Sequence, residues 1–580
     1  MAAELTPTRA ELKLIEAVAK GAIADYGLSD SVENDPANGH QWGEERTVSA
    51  LVIYTLSAET NPDWPIHPGG IRIVGARIKD QLDFSGVQIR FPLAFVGCYM
   101  ERPILLSNAT VHSIILSGSR VPGVEAGSLR AQSDVLLNDK FIAEGEVSLS
   151  GARIGGDLIC YGGVFENPNR DALSADGINA GGSVRLSDGF EAKGAVRLRN
   201  ARIGGDLSCI GGSFENSGAG ALVADDAAVN GHVLLSNGFK VKGEVSFNRA
   251  RLGGLLYCSH GVFENPGRTA LSVDEVTVNG HVVLSNGFKV KGEVSFNRAR
   301  LGGLFYCPHG AFENPGGIAL SADGITVNGS AFLSDWFSAK GAVRFENARI
   351  KGDFHCVGGI FQHPGGDALA ADGIIVDGSV RLHTRFLAQG AVRLRGARIA
   401  GTLHCDGGTF ENSAGMALSA DDARIGHNVL LSNGFRARGA VRLTGSKIGG
   451  DFSCIDAVFD SPGGQALSAN CVIVYGTVHL GYGFRAEGEV GLTGASIGSD
   501  LDCDAGTFEN PDGDALSADK VTVKGSVFLR DRFQAMGAVR LTDARIGGKL
   551  ECVGGSLAKT GGDGVLLTEG AEIRGGLRGR

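Results

Sequence analysis

The chain has 580 residues, 90 of them glycine against 15 proline and 4 methionine, and 43% of it is hydrophobic. That apolar content excludes general disorder, and glycine without a three-residue period excludes collagen, so the glycines read as tight turns between short strands. A net charge of −10 weighs against a general nucleic-acid binder, and no apolar run of about 18 residues is present to form a transmembrane helix.

The first segment, MAAELTPTRAELKLIEAVAKG, carries Glu4, Glu11 and Glu16 and lacks the apolar centre of a signal peptide. It predicts a cytoplasmic location. Residues 6–26 are predicted helical, with Leu12, Ile15, Val18, Ala19 and Ile23 as the apolar stripe, and Arg46–Leu56 is a second helical stretch. Pro62, Pro65 and Pro68 then lead out of a helical N-terminal cap (residues 1–68) that shields the first edge strands. Residues 69–146, with Ile71, Ile73, Ala76, Ile78, Leu82 and Phe84, read as irregular first coils of a solenoid.

From 147 to 580 the chain is regular. Cys160, Cys209, Cys258, Cys307, Cys356, Cys405, Cys454, Cys503 and Cys552 recur every 49 residues, which defines nine repeats. Each repeat has two halves of one grammar, as in Val196, Leu198, Ala201, Ile203, Gly205, Leu207 and Cys209 followed by Leu222, Ala224, Ala227, Val229, Gly231, Val233 and Leu235. Coils therefore alternate between 26 and 23 residues. Period-two spacing means strands, and the break between Leu198 and Ala201 marks a corner. The prediction is an all-β solenoid, a parallel β-helix of about 21 coils, right-handed by the crossover rule.

Cysteines two coils apart are separated by about 9.6 Å, beyond the ~7 Å limit for a disulfide. They are expected to be buried, soft core residues. Two phenylalanine columns, one through Phe165, Phe214 and Phe263 and the other through Phe141, Phe190 and Phe239, are expected at matching places in alternate coils, merging into one core stack.

The outward columns are where function is sought. Arg153, Arg202, Arg251, Arg300, Arg349, Arg398 and Arg545 form the candidate partner-binding column, with Lys447 and Ser496 in register. A second column holds Arg197, Arg344, Arg393, Arg442 and Arg540. Either is a basic stripe for a polyanion or an acidic partner, or a solvated face paired with neighbouring carboxylates. Asp176, Asp225, Asp274, Asp323, Asp372, Asp421 and Asp519 recur at the corner, where aspartate caps backbone amides. The clearest local departure is histidine, at His355, His363, His383 and His404. His355 and His404 each precede a core cysteine and so point to the opposite face, which argues against a shared metal site. No dinucleotide or phosphate loop and no nucleophile stands out, so no catalytic residue, metal or cofactor is assigned.

The short helical N-terminus, the stretches WGEERTVSALVI (42–53) and GIRIVGARIKDQLDF (70–84), and the many copies of GAxIGGxLxC together resemble a family of bacterial repeat proteins. Its members are often labelled "membrane-associated oxidoreductase" or left uncharacterised. More distantly the rhythm resembles pentapeptide-repeat proteins, some of which mimic DNA and bind topoisomerases, although coils of 23 and 26 residues exceed that family's. The leading expectation is a non-enzymatic scaffold that binds a protein partner along one face or self-associates through its C-terminal edge. The alternatives are a carbohydrate-active or carbohydrate-binding β-helix and a DNA mimic.

Overall fold

The computed structural model describes residues 6–29, 32–559, 562–563 and 565–579. It comprises two units, Met1–His281 with Phe288–Lys291, and Val282–Gly287 with Gly292–Arg580. Each is an all-β parallel solenoid, and the first also carries the small helical cap.

One coil of the first unit shows the plan. Arg153–Ile154 lies in one sheet, Leu158–Ile159 in a second and Val164–Ser174 in a third, broader one. We call these the arginine, cysteine and phenylalanine sheets. Arg153 pairs with Asn179 and Asn179 with Arg202, Leu158 pairs with Val184, and Phe165 with Ala192, all in parallel. Alternation along each strand turns Ile154, Leu158, Cys160, Phe165 and Leu173 inward, where they are buried. Each large apolar side chain so buried contributes about 1.5–3 kcal/mol, which makes the fold the sum of many equal layers.

The double glycine of the repeat has two separate reasons. A Cβ on Gly155 would sit 2.1 Å from the Gln132 carbonyl oxygen of the previous coil. At the second position, a Cβ on Gly182 would fall 1.9 Å from Asp157 Oδ1. That oxygen accepts the Ser183 amide at 2.7 Å, Ser183 Oγ accepts the Asp206 amide at 3.0 Å, and Asp206 Oδ1 accepts the His232 amide at 2.7 Å. Ser330, Asp353 and Ser379 repeat the ladder in the second unit. Glycine leaves the room in which each coil caps an amide of the next.

The phenylalanines form one column in each unit, with ring centroids 5.0–5.5 Å apart from Phe141 to Phe288 and from Phe312 to Phe533. Their backbone places do not match, which corrects the expectation. Phe165 is in register with Ala192, and the Glu191 amide donates to the Gly163 carbonyl, so Phe190 stands opposite Gly163. The Phe165 ring folds back over Gly163, whose added Cβ would lie 3.0 Å from Cε2. Coils with Gly-x-Phe thus alternate with coils with Phe-x-small, and both deliver a ring to one stack.

In the 26-residue coils the chain leaves the phenylalanine sheet between Glu166 and Asp171, exposing Pro168, Asn169 and Arg170. Asn167 Nδ2 closes this loop on the Asp171 carbonyl at 2.8 Å. The loop sits over Gly194 of the next coil, which has φ +127° and whose Cβ would meet the Asn167 and Arg170 carbonyl oxygens at 2.4 and 2.7 Å.

In the cap, helix α1 (Arg9–Ala19) starts at a capping box between Thr8 and Glu11. Its buried stripe is Ala10, Leu14 and Val18, while Leu12 and Ile23 are exposed, contrary to the predicted stripe. The i, i+4, i+8 set faces the first coil, where the Tyr26 hydroxyl donates to the Ala10 carbonyl at 2.6 Å. Part of the second predicted helix is a strand. Thr47–Ser49 pairs with Arg77–Lys79, and only Ala50–Ser57 is helical (α2). Arg46, buried beneath its stack on Trp42, donates Nε and Nη2 to the Gly75 carbonyl and ties the cap to the solenoid.

Candidate partner-binding face

The two arginine columns differ in their partners. Arg197 Nη2 lies 2.7 Å from Asp176 Oδ2, while Oδ1 of the same carboxylate accepts the Arg199 amide. Arg344 with Asp323, Arg442 with Asp421 and Arg540 with Asp519 repeat this pair, and Arg393 reaches both Asp367 and Asp372. The hydrogen bonds that Arg197 donates to Asp176 raise its pKa further. Where arginine is missing the acid changes role: Ser246 donates to Asp225, and opposite Gly491 the acid itself is replaced by Asn470, whose Oδ1 accepts the Thr493 amide. The corner aspartates thus cap backbone amides, as their position predicted.

Arg153, Arg202, Arg251, Arg300, Arg349, Arg398 and Arg545 open the strands of the arginine sheet and are exposed. Among the described residues none of them makes a side-chain hydrogen bond or ion pair. Each projects from a sheet whose inward residue, such as Ile154 or Ile350, is buried, so its position is fixed by the core beneath it.

Reading the column at 49-residue intervals missed what lies between. In the second unit the outward residues of successive coils are Ile375, Arg398, Arg424, Lys447 and Ile473. Arg424 turns an alternating column into three consecutive cations, and Ile375, Arg398, Arg424 and Lys447 with Asp377, Ala400, Gly426, Gly449 and Tyr475 line a shallow groove of about 410 Å³. The signal was available in the sequence, because the half-repeats align at 26 and 23 residues and Arg424 stands where other second halves carry the uncharged Asn179, Ala228, Thr277, Thr326, Ile375, Ile473 and Thr522.

The histidines do not converge on a metal. His383 and His404 stack at 4.1 Å with planes 26° apart, and His355 stacks on Phe332 at 4.6 Å and 8°. Stacked rings point their nitrogens along parallel planes. Among the described residues no group of three or more His, Cys, Asp or Glu side chains could hold a metal ion. Burial, then the neighbouring His404 and Arg381, push His383 down to about 4. His363 stands apart in the loop of Ile360–Ala370.

None of the eleven cysteines is in a disulfide. The repeat cysteines alternate with buried leucines, since the Cys160 amide donates to the Arg185 carbonyl and the Leu186 amide to that of Ser208. Burial pushes the Cys160, Cys209 and Cys258 thiols well above their ordinary range, which makes this column unreactive.

Comparison with family models, with curated proteins and with solved structures gives no match. Among the described residues, no helix is long and apolar enough to cross a membrane.

Proposed function

We propose that the protein is a binding scaffold whose arginine sheet docks an anionic macromolecular partner. The observation that carries this reading is the contrast between the columns: Arg197 and its equivalents are held by aspartates, whereas Arg153 and its equivalents stand exposed without an ion pair among the described residues. Outside the run Arg398, Arg424 and Lys447 and the pair Arg130 and Arg153, the cations stand on alternate coils about 9.6 Å apart, too sparse to track a nucleic-acid backbone, and the net charge of −10 opposes nucleic acid further. A protein with an acidic surface is the fitting partner. The carbohydrate reading is weaker, because Phe332 and His355 stack on each other and each has one ring face covered.

Binding of fluorescent poly-L-glutamate by the full chain, followed by anisotropy, tests the proposal. Binding that weakens with salt and drops in the Arg153→Gln/Arg202→Gln/Arg251→Gln variant supports it. Absence of binding at low salt sinks it.

A second reading, self-association through the C-terminal edge, is supported by one column. Leu550 is fully buried, while Leu577, its partner in the next coil, is 63% exposed. Light scattering of Leu577→Lys against the parent chain tests it, and a parent that is monomeric at all concentrations removes it.

A further inference from the structure

We propose that the groove on the arginine sheet of the second unit docks an amphipathic helix of the partner, bearing acidic residues on three successive turns with an apolar residue on either side. This rests on the reading of that sheet as an anion-binding face and adds the form the partner takes.

The groove is a local departure from the repeat. Outward cations elsewhere on the sheet stand singly between residues such as Asn179, Ala228, Thr326 or Thr522, or as the one neighbouring pair Arg130 and Arg153, whereas Arg398, Arg424 and Lys447 make a run of three in register. All are exposed, and among the described residues none has an ion-pair partner. The run is closed by Ile375 at one end and Ile473 at the other. Beside it run Asp377, Ala400, Gly426 and Gly449, with Tyr475 standing 66% exposed as a wall, so the one carboxylate of the lining lies at the Ile375 end, away from the three positions that face acids.

Three arguments select the occupant. A single carboxylate or phosphate cannot meet cations spread over about 9.6 Å, so the ligand carries several charges at fixed spacing. A nucleic-acid backbone needs cations that continue along its path, and this run ends in isoleucine on both sides. An extended peptide would lie across a sheet whose backbone groups are already paired, leaving its own unpaired, whereas a helix satisfies its own.

The spacing then fits. The helix pitch of about 5.4 Å against a coil step of about 4.8 Å gives a mismatch near 1.2 Å between Arg398 and Lys447. Between Ile375 and Ile473 it reaches about 2.4 Å, within the reach of flexible side chains. Acidic residues at i+4, i+7 and i+11 face the three cations, and apolar residues at i and i+14 face the two isoleucines. This is recognition of a helix in a groove with charge at its centre.

The test uses the full chain and a labelled helical peptide with Leu at i and i+14 and Glu at i+4, i+7 and i+11, measured by anisotropy against a scrambled peptide of equal composition. The patterned peptide is expected to bind more tightly, and Arg424→Thr to weaken it about fivefold, the size of one exposed ion pair. Threonine already stands at Thr277, Thr326 and Thr522, so the fold accepts it there. Equal binding of patterned and scrambled peptides, with poly-L-glutamate still bound, overturns the helix and leaves the anionic face intact. Loss of poly-L-glutamate binding as well overturns both. Tight patterned binding that ignores Arg424→Thr, or tighter binding of a single-stranded oligonucleotide at the same site, also overturns the proposal.

Discussion

Arg530 closes on Asp504 through both Nε and Nη2, the latter at 2.7 Å from Oδ2, over a carboxylate that is only 1% exposed. The same guanidinium lies 4.0 Å over the Phe528 ring and gives Nη1 to Glu551 at 2.9 Å. Arg530→Ser leaves a buried acid without its cation, and we expect a loss of about 2 kcal/mol once the part exposure of the arginine is allowed for. Asp504→Ile with Arg530→Ser recreates the Ile210 and Ser236 of the equivalent coils and is expected to recover most of it. Hydrogen exchange of residues 500–552 in the single and double variants measures both, and equal protection in parent and single variant contradicts the prediction.

Gly194 separates steric from conformational cost. With φ +127° and two carbonyl oxygens within 2.7 Å of an added Cβ, Gly194→Ala is expected to cost about 2–3 kcal/mol. Gly396 has φ +63° and open space around the same atom, so Gly396→Ala should cost only about 1 kcal/mol. Thermal melts rank the two, and reversal of the order would show that the 167–170 loop is not seated on Gly194.

Thiol reactivity should follow position. Cys471 is exposed at φ 56°, Cys552 is half-buried, and the remaining cysteines lie in the interior. Alkylation of the native chain followed by peptide mass spectrometry is expected to modify Cys471 first, Cys552 slowly and the column only after unfolding. Early labelling of Cys258 or Cys307 would contradict the packed interior.

The histidine stack predicts a pH dependence with a definite sign. His383 is depressed to about 4, below its ordinary value of about 6.5, by burial and by the facing His404 and Arg381, with Asp406 opposing. A depressed histidine contributes stability that is present above about pH 6.5 and is lost as pH falls toward 4. His383→Ser, which restores the Ser334 and Ser432 of neighbouring repeats, should flatten the melting temperature over that window. An unchanged slope would mean that the ring is freely solvated.

Much of the fold was legible because the chain repeats itself. Cys160 to Cys552 fix the coil pair, and the corner aspartates announce their amide-capping role by position alone. The phenylalanine stack was legible but its construction was not, because Gly163 opposite Phe190 becomes visible only when adjacent coils are set side by side. Leu12 was misplaced for a similar reason: a helical stripe is chosen by the surface it meets, and Leu14 faces the first coil. The arginine column was found at 49-residue intervals, yet Arg424 lies off that interval and joins the column only when the 26- and 23-residue half-repeats are aligned with each other. Ion pairing was equally silent. Nothing in the local sequence distinguishes Arg197 from Arg202, since one meets an aspartate from 21 residues away and the other meets solvent.

The alternation of Gly-x-Phe and Phe-x-small coils sets the step by which such a chain can grow or shrink. Removing one coil would set two like coils against each other, break the ring stack and lower a 167–170-type loop onto a residue with a side chain. Removing two restores every contact. The near-identity of residues 230–266 and 279–315 is a copy of that permitted length, 49 residues. Recombination and deliberate shortening are thus confined to whole pairs of coils.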